Sequence, residues 1–181
     1  MTFRLTALFA SAALCLGACA SSQSLSASFS DLDANTKLSE HLYTDEKFDY
    51  SDVDLTVFEG RLMLTGTLAS DAARRSAVAA ALELEEINQV IDEIYVGDKT
   101  GFGQGVADSR IDAQVRARLI ASKKADSGRI KIAVSNGVVY LIGVARDQEA
   151  LESVLEVART SRGVNKVVSH VLYIDAPARR L

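Results

Sequence analysis

The stretch RIKIAVSNGVVYLIGV (residues 129–144) decides the fold. Apolar residues alternate with period two on both sides of Asn136-Gly137, which is the strongest short-range signal for a two-residue type I′ hairpin. That turn pairs Val134 with Val139, Ile132 with Leu141 and Ile130 with Gly143, giving one core face on which Gly143 leaves room for a helix to approach. The opposite face shows Val138, Tyr140, Ile142 and Val144. An open sheet face this apolar is normally covered, either by another part of the chain or by a protein partner.

Upstream, DSRIDAQVRARLIASKK (108–124) spaces Ile111, Val115 and Leu119 four apart, as on one helical face, with Asp108 or Ser109 as the expected N-cap. Downstream, Asp147 opens a second helix, Gly163 suits its left-handed stop, and NKVVSHVLYI (165–174) reads as a last strand. The order is helix, strand, strand, helix, strand.

The same order occurs earlier. Setting residue n against n + 77 aligns Asp31 with Asp108, Gly60 with Gly137, Gly66 with Gly143 and Asn88 with Asn165, without a gap. Apolar class is kept at Leu38/Val115, Leu55/Ile132, Leu64/Leu141 and Ile94/Val171. The chain is an internal duplication, with Glu59-Gly60 as a weaker version of the hairpin turn and Ser70 in the place of Asp147. The expected organisation is a signal segment (1–18), a Ser-rich tether (19–30), a first domain (31–97), a Gly-rich linker (98–107), a second domain (108–174) and a tail (175–181). Domains this small have marginal cores, so the two are expected to lean on each other.

The net charge of −4 hides a division. Residues 28–98 hold 5 Lys/Arg and 16 Asp/Glu, whereas residues 99–181 hold 14 and 8. Such asymmetry bears on partners and steering rather than on fold.

The two cysteines, Cys15 and Cys19, lie in an apolar N-terminal run that has the length of a signal-peptide core and is too short to span a membrane. Leu16-Gly17-Ala18-Cys19 resembles a bacterial lipobox, which implies that Cys19 is acylated and becomes the first mature residue. An ordinary secretory signal with a chance cysteine is the other reading. Under the first, the mature chain of about 163 residues has no pair of cysteines left for a disulfide.

Gly137-Val138-Val139-Tyr140-Leu141-Ile142-Gly143-Val144, closing with Gly163-Val164-Asn165-Lys166-Val167, resembles the BON-domain family, most closely its dual-domain outer-membrane lipoproteins. The first copy keeps Gly60 and Gly66 but has Glu86-Ile87 in place of Gly-Val, so its second helix must end differently. The resemblance implies an α/β (α+β) fold of two tandem domains, each with two helices on one face of a three-stranded mixed sheet. It also implies a role in envelope integrity or osmotic protection, with phospholipid binding as the suspected activity.

No catalytic residue, metal site or cofactor is expected. His41 and His170 have no Cys, Asp or Glu at ligand spacing, the acidic residues 45–54 form no calcium loop, and no nucleophile motif follows the signal segment. Binding remains. The first helix of the second copy carries Arg110, Arg116, Arg118, Lys123 and Lys124, against Asp31, Asp33, Glu40, Asp45 and Glu46 in its counterpart. A solvated helix face is one reading and an anionic surface the other. Nucleic acid is disfavoured, because the basic helix has no stacking aromatics. On a helical wheel Ile120 falls off the buried stripe, close to Arg116, Lys123 and Lys124, as an interfacial anchor would. The leading expectation is a lipid-anchored protein on the periplasmic face of the outer membrane that binds anionic phospholipid through Arg110, Arg116, Ile120, Lys123 and Lys124. The alternative is a scaffold docking an envelope protein through Val138, Tyr140, Ile142 and Val144.

Overall fold

A computed structural model describes residues 22–99, 101–125 and 127–173. The expected signal segment, Cys19 and the tail lie outside these residues. Helix α1 (Ser22–Thr44), β1 (Val53–Phe58), β2 (Arg61–Leu68), α2 (Asp71–Leu82) and β3 (Gln89–Val96) form the first domain. Helix α3 (Phe102–Ala121), a 3-10 turn (Ser127–Arg129), β4 (Ile130–Ser135), β5 (Val138–Ala145), α4 (Gln148–Arg159) and β6 (Lys166–Tyr173) form the second. Each sheet is mixed: the hairpin β1–β2 or β4–β5 is antiparallel, and β3 or β6 lies parallel to the central strand.

The hairpin register is the one the Asn-Gly turn dictates, with Val134 opposite Val139, Ile132 opposite Leu141 and Ile130 opposite Gly143. Both turns take left-handed φ at both central residues, Glu59 (49°) and Gly60 (75°), Asn136 (54°) and Gly137 (73°), as type I′ requires. Ser70 and Asp147 cap α2 and α4 by accepting hydrogen bonds from the backbone N–H of Ala73 and Ala150. Ile111, Val115 and Leu119 pack on Leu141, Val154 and Ala158 in one core, and Leu38 and Leu42 pack on Leu64, Ala77 and Ile94 in the other. Small residues four apart on α2 (Ala73, Ala77, Ala81) let that helix lie close on its sheet.

Several expectations are corrected here. The Ser-rich segment is helical from Ser22 and the Gly-rich linker from Phe102. Each packed helix already has its nucleus, so adding turns at its N-terminus needs no new nucleation. Asp108 is therefore not an N-cap; Gly101 holds that position. Asp108 instead sits inside α3, buried, and accepts hydrogen bonds from the N–H groups of Asn136 (2.8 Å) and Gly137 (2.8 Å). Asp31 does the same for Glu59 (2.8 Å) and Gly60 (2.9 Å). Two consecutive left-handed residues aim their N–H groups at one point, and a carboxylate fills it. Helix α4 stops at Arg159, and Gly163 (φ 87°) turns the chain towards β6 instead of ending the helix. The space at Gly143 (φ 147°) is taken by the backbone that enters β4, since a Cβ there would lie 2.1 Å from the carbonyl oxygen of Arg129 and 2.9 Å from Ile130 Cα, and not by an α-helix.

The outer faces of the two sheets lie against each other. Phe58, Met63, Ile91, Ala133, Tyr140 and Ile142 form a third apolar cluster between the domains. Lys131 Nζ donates to the Val57 carbonyl, Arg129 pairs with Glu59 at 2.9 Å, and Asn136 Nδ2 donates to Thr67 Oγ1 at 2.9 Å. Strands β1 and β4 thus face each other in opposite directions. Glu93 Oε1 meets His170 Nε2 at 2.8 Å, and these two residues are 77 apart, one being the other's counterpart. A residue that meets its own counterpart marks a two-fold axis, so the copies are related by an internal pseudo-dyad.

Candidate functional site

The C-terminal end of α3 carries the exposed apolar residue. Ile120 is 80% exposed, rotated about 100° from the neighbouring Leu119 and so off the buried Val115–Leu119 stripe. Lys123 and Lys124 follow it, both exposed. Lys124 makes a surface ion pair with Glu149 at 3.3 Å, of the exposed kind that contributes little. Lys123 and Arg110 have no ion-pair or hydrogen-bond partner among the described residues, and both point to solvent.

The other two arginines are used by the fold. Arg116 Nε binds Asp112 (2.7 Å) and its Nη2 donates to the Ile132 carbonyl on β4 (2.7 Å). That second bond draws its guanidinium to β4 and away from the cluster expected around Ile120. Arg118 donates to the Val157 carbonyl (3.0 Å), Ser161 Oγ (2.7 Å) and Thr160 Oγ1 (2.9 Å). It therefore neutralises the end of α4, where carbonyls lack helical partners. The structure keeps Ile120, Lys123 and Lys124 together, leaves Arg110 about three turns away on the same helix, and separates Arg116 from them.

The counterpart of Ile120 is Tyr43, 92% exposed at the same place on α1. Both repeats put a large apolar side chain there, but Tyr43 stands beside Asp45 and Glu46. The two positions differ in charge, not in exposure.

The second expected surface is occupied. Ile142 is 0% exposed, Tyr140 is buried, and Val138 and Val144 are partly buried, all against the first sheet. Of the two covers weighed for this face, the chain itself supplies one. Seventy-seven residues earlier stand Arg61, Met63, Thr65 and Thr67, of which Met63, Thr65 and Thr67 are buried too. Packing of Tyr140 between the sheets, with Glu93 nearby, pushes its phenol above the usual range.

A cleft of about 760 Å³ opens where β1 faces α3 and β4, lined by Asp52, Asp54, Asp108, Asp112, Arg116 and Ser135. Desolvation pushes the Asp54 carboxyl above the usual carboxylate range, with the charges of Asp52 and Asp112 adding to it. At the dyad-related place the exchange of charge is favourable: Lys131 lies 3.9 Å from Asp31. No three His, Cys, Asp or Glu side chains among the described residues are grouped to hold a metal, and no described helix is long and apolar enough to cross a membrane.

Comparison with known proteins agrees with this two-fold architecture. The BON domain model matches residues 30–98 and again 107–175. An uncharacterized protein in gshII 5'region of Anaplasma centrale is 36% identical over 132 residues, covering 72% of this chain and 87% of that protein. The 21 kDa hemolysin of Actinobacillus pleuropneumoniae is 32% identical and the outer membrane lipoprotein DolP of Haemophilus influenzae 28%, each over 123 residues. Each of these two matches covers 68% of this chain and 63% of the relative's own length. With both repeats matched and both folded as two helices on a three-stranded mixed sheet, the chain belongs to the BON-domain family.

Proposed function

We propose that this is a non-enzymatic envelope protein, anchored by acylated Cys19 to the periplasmic face of the outer membrane, whose second domain binds anionic phospholipid. The exposed Ile120 beside Lys123 and Lys124 is the observation that carries the reading. Cations hold such a helix end to anionic headgroups at about 1 kcal/mol each, while the apolar side chain enters the acyl boundary. Arg110 adds charge along the same helix; Arg116, tied to Asp112 and Ile132, supports the helix on its sheet and contributes less to lipid contact. The anchor is supported by the lipobox at Leu16–Cys19 and by the likeness to an outer membrane lipoprotein. A role in envelope integrity or stress protection follows from such a location.

Flotation of the unacylated 20–181 fragment with liposomes rich in anionic lipid tests the proposal. Ile120→Glu is expected to abolish most binding with the fold intact, and Lys123→Glu to weaken it mainly at low salt. Wild-type binding by Ile120→Glu would place any lipid contact elsewhere. Cys19→Ser is expected to release the chain from the membrane or leave it unprocessed; normal retention would remove the anchor from the reading.

A further inference from the structure

Strands β3 and β6 are edges of their sheets, each bonded to another strand on one side only, and the N–H groups of Ile94 and Val171 donate to the side chains of Asp92 (3.1 Å) and Ser169 (3.3 Å) on their own strands. They lie on the same side of the molecule, one above the other, joined by Glu93 and His170. Each runs eight residues without proline. The unpaired peptide groups of an edge this long can template pairing with another chain. At the end of each stands a large apolar side chain in solvent: Tyr95, 62% exposed, and its counterpart Leu172, 53% exposed. Strand β3 carries Asp92, which is paired with Arg74 at 2.7 Å, and Glu93, which is paired with His170 of β6; β6 also carries Lys166.

We propose that the chain pairs with a second copy of itself through these edges, β3 of each lying beside β6 of the other. A two-fold axis parallel to the strands achieves this. It carries each upper sheet onto a lower one, so β3 meets β6 of the second copy at hydrogen-bonding distance. Because the internal dyad makes β3 and β6 run in opposite directions, the new pairs are antiparallel, and both three-stranded sheets become six-stranded. With Glu93 opposite His170 of the second copy, Tyr95 falls opposite Val168 and Leu172 opposite Ile91, on the same faces. Both exposed apolar side chains then gain cross-strand neighbours.

Sedimentation of the full chain in density-matched detergent tests this. Twice the single-chain mass is expected for wild type, and the single-chain mass for Tyr95→Lys/Leu172→Lys, whose far-UV spectrum should stay native because both side chains are exposed. Mixing a Tyr95→Cys chain with a Val168→Cys chain under oxidation is expected to yield a crosslinked dimer that neither variant gives alone. A single-chain mass for wild type at the highest soluble concentration overturns the proposal. So does a dimer that survives the double lysine substitution.

Discussion

Asp108→Ala should weaken the second domain more than any exposed substitution on α3. Its carboxylate accepts hydrogen bonds at 2.8 Å from the N–H groups of both Asn136 and Gly137, and Gln104 Nε2 adds a third at 2.9 Å. Hydrogen bonds to a charged group contribute about 1.5–3 kcal/mol each, and removing the acceptor leaves a buried N–H at Gly137 unsatisfied. The loss is therefore about 3–5 kcal/mol. For a body of this size each kcal/mol moves Tm by about 2–4 °C, so a fall on the order of 10 °C is expected. Asp108→Asn keeps one acceptor oxygen and should cost roughly half as much. Thermal unfolding measures the total, and amide hydrogen exchange localises it, because Asn136 and Gly137 should lose protection before the rest of β4 and β5. Asp31→Ala is the internal replicate, acting on Glu59 and Gly60. If both alanine variants unfold with wild-type Tm and the turn amides stay protected, the carboxylates do not hold the hairpins.

Gly143→Val should destabilise the second domain by at least the 1–3 kcal/mol typical of overpacking, since its Cβ would strike the backbone of Arg129 and Ile130 at a φ of 147°; unchanged thermal unfolding would refute the close approach. Ile142→Asp places a charge between the sheets, so domain–domain NMR contacts should vanish while the two helix–sheet cores persist; intact interdomain contacts would show the face is not needed. The Ala150 N–H, with Arg146, holds the Asp147 carboxyl below the usual range. Its contribution is thus complete above about pH 4 and is lost as pH falls through the lowered folded value. The stability gap between wild type and Asp147→Ala should shrink in acid; a gap that is constant with pH would contradict the capping role.

What was legible in the sequence was short-range. Asn136-Gly137 set the turn, period two set the register, and the four-residue spacing of Ile111, Val115 and Leu119 set the buried stripe. Asp108 was misread because an aspartate before a helical pattern ordinarily caps that helix, whereas its partners lie 28 and 29 residues onward. Only the packing of α1 and α3 beside the hairpins brings those groups together. Arg116 escaped for a different reason: a helical wheel places its Cα, but its long side chain reaches to β4. Ile120 was legible because exposure on a helix depends on angle alone once the stripe is known. What covers Ile142 was not, because Phe58, Met63 and Ile91 lie far from it in the chain and no local pattern brings them there.

Fusion of two copies into one chain changes what an axis position is allowed to be. In a pair of identical subunits, Glu93 would meet another glutamate, or His170 another histidine, and two like side chains would share one site. Within this chain the two positions evolve separately, and an acid faces an imidazole instead. The same freedom lets Met63 differ from Tyr140 and Thr65 from Ile142 across the join. The halves should consequently prefer each other to themselves. Expressed as separate polypeptides, a first and a second domain are expected to assemble as a mixed pair, each half carrying information that only the other can read.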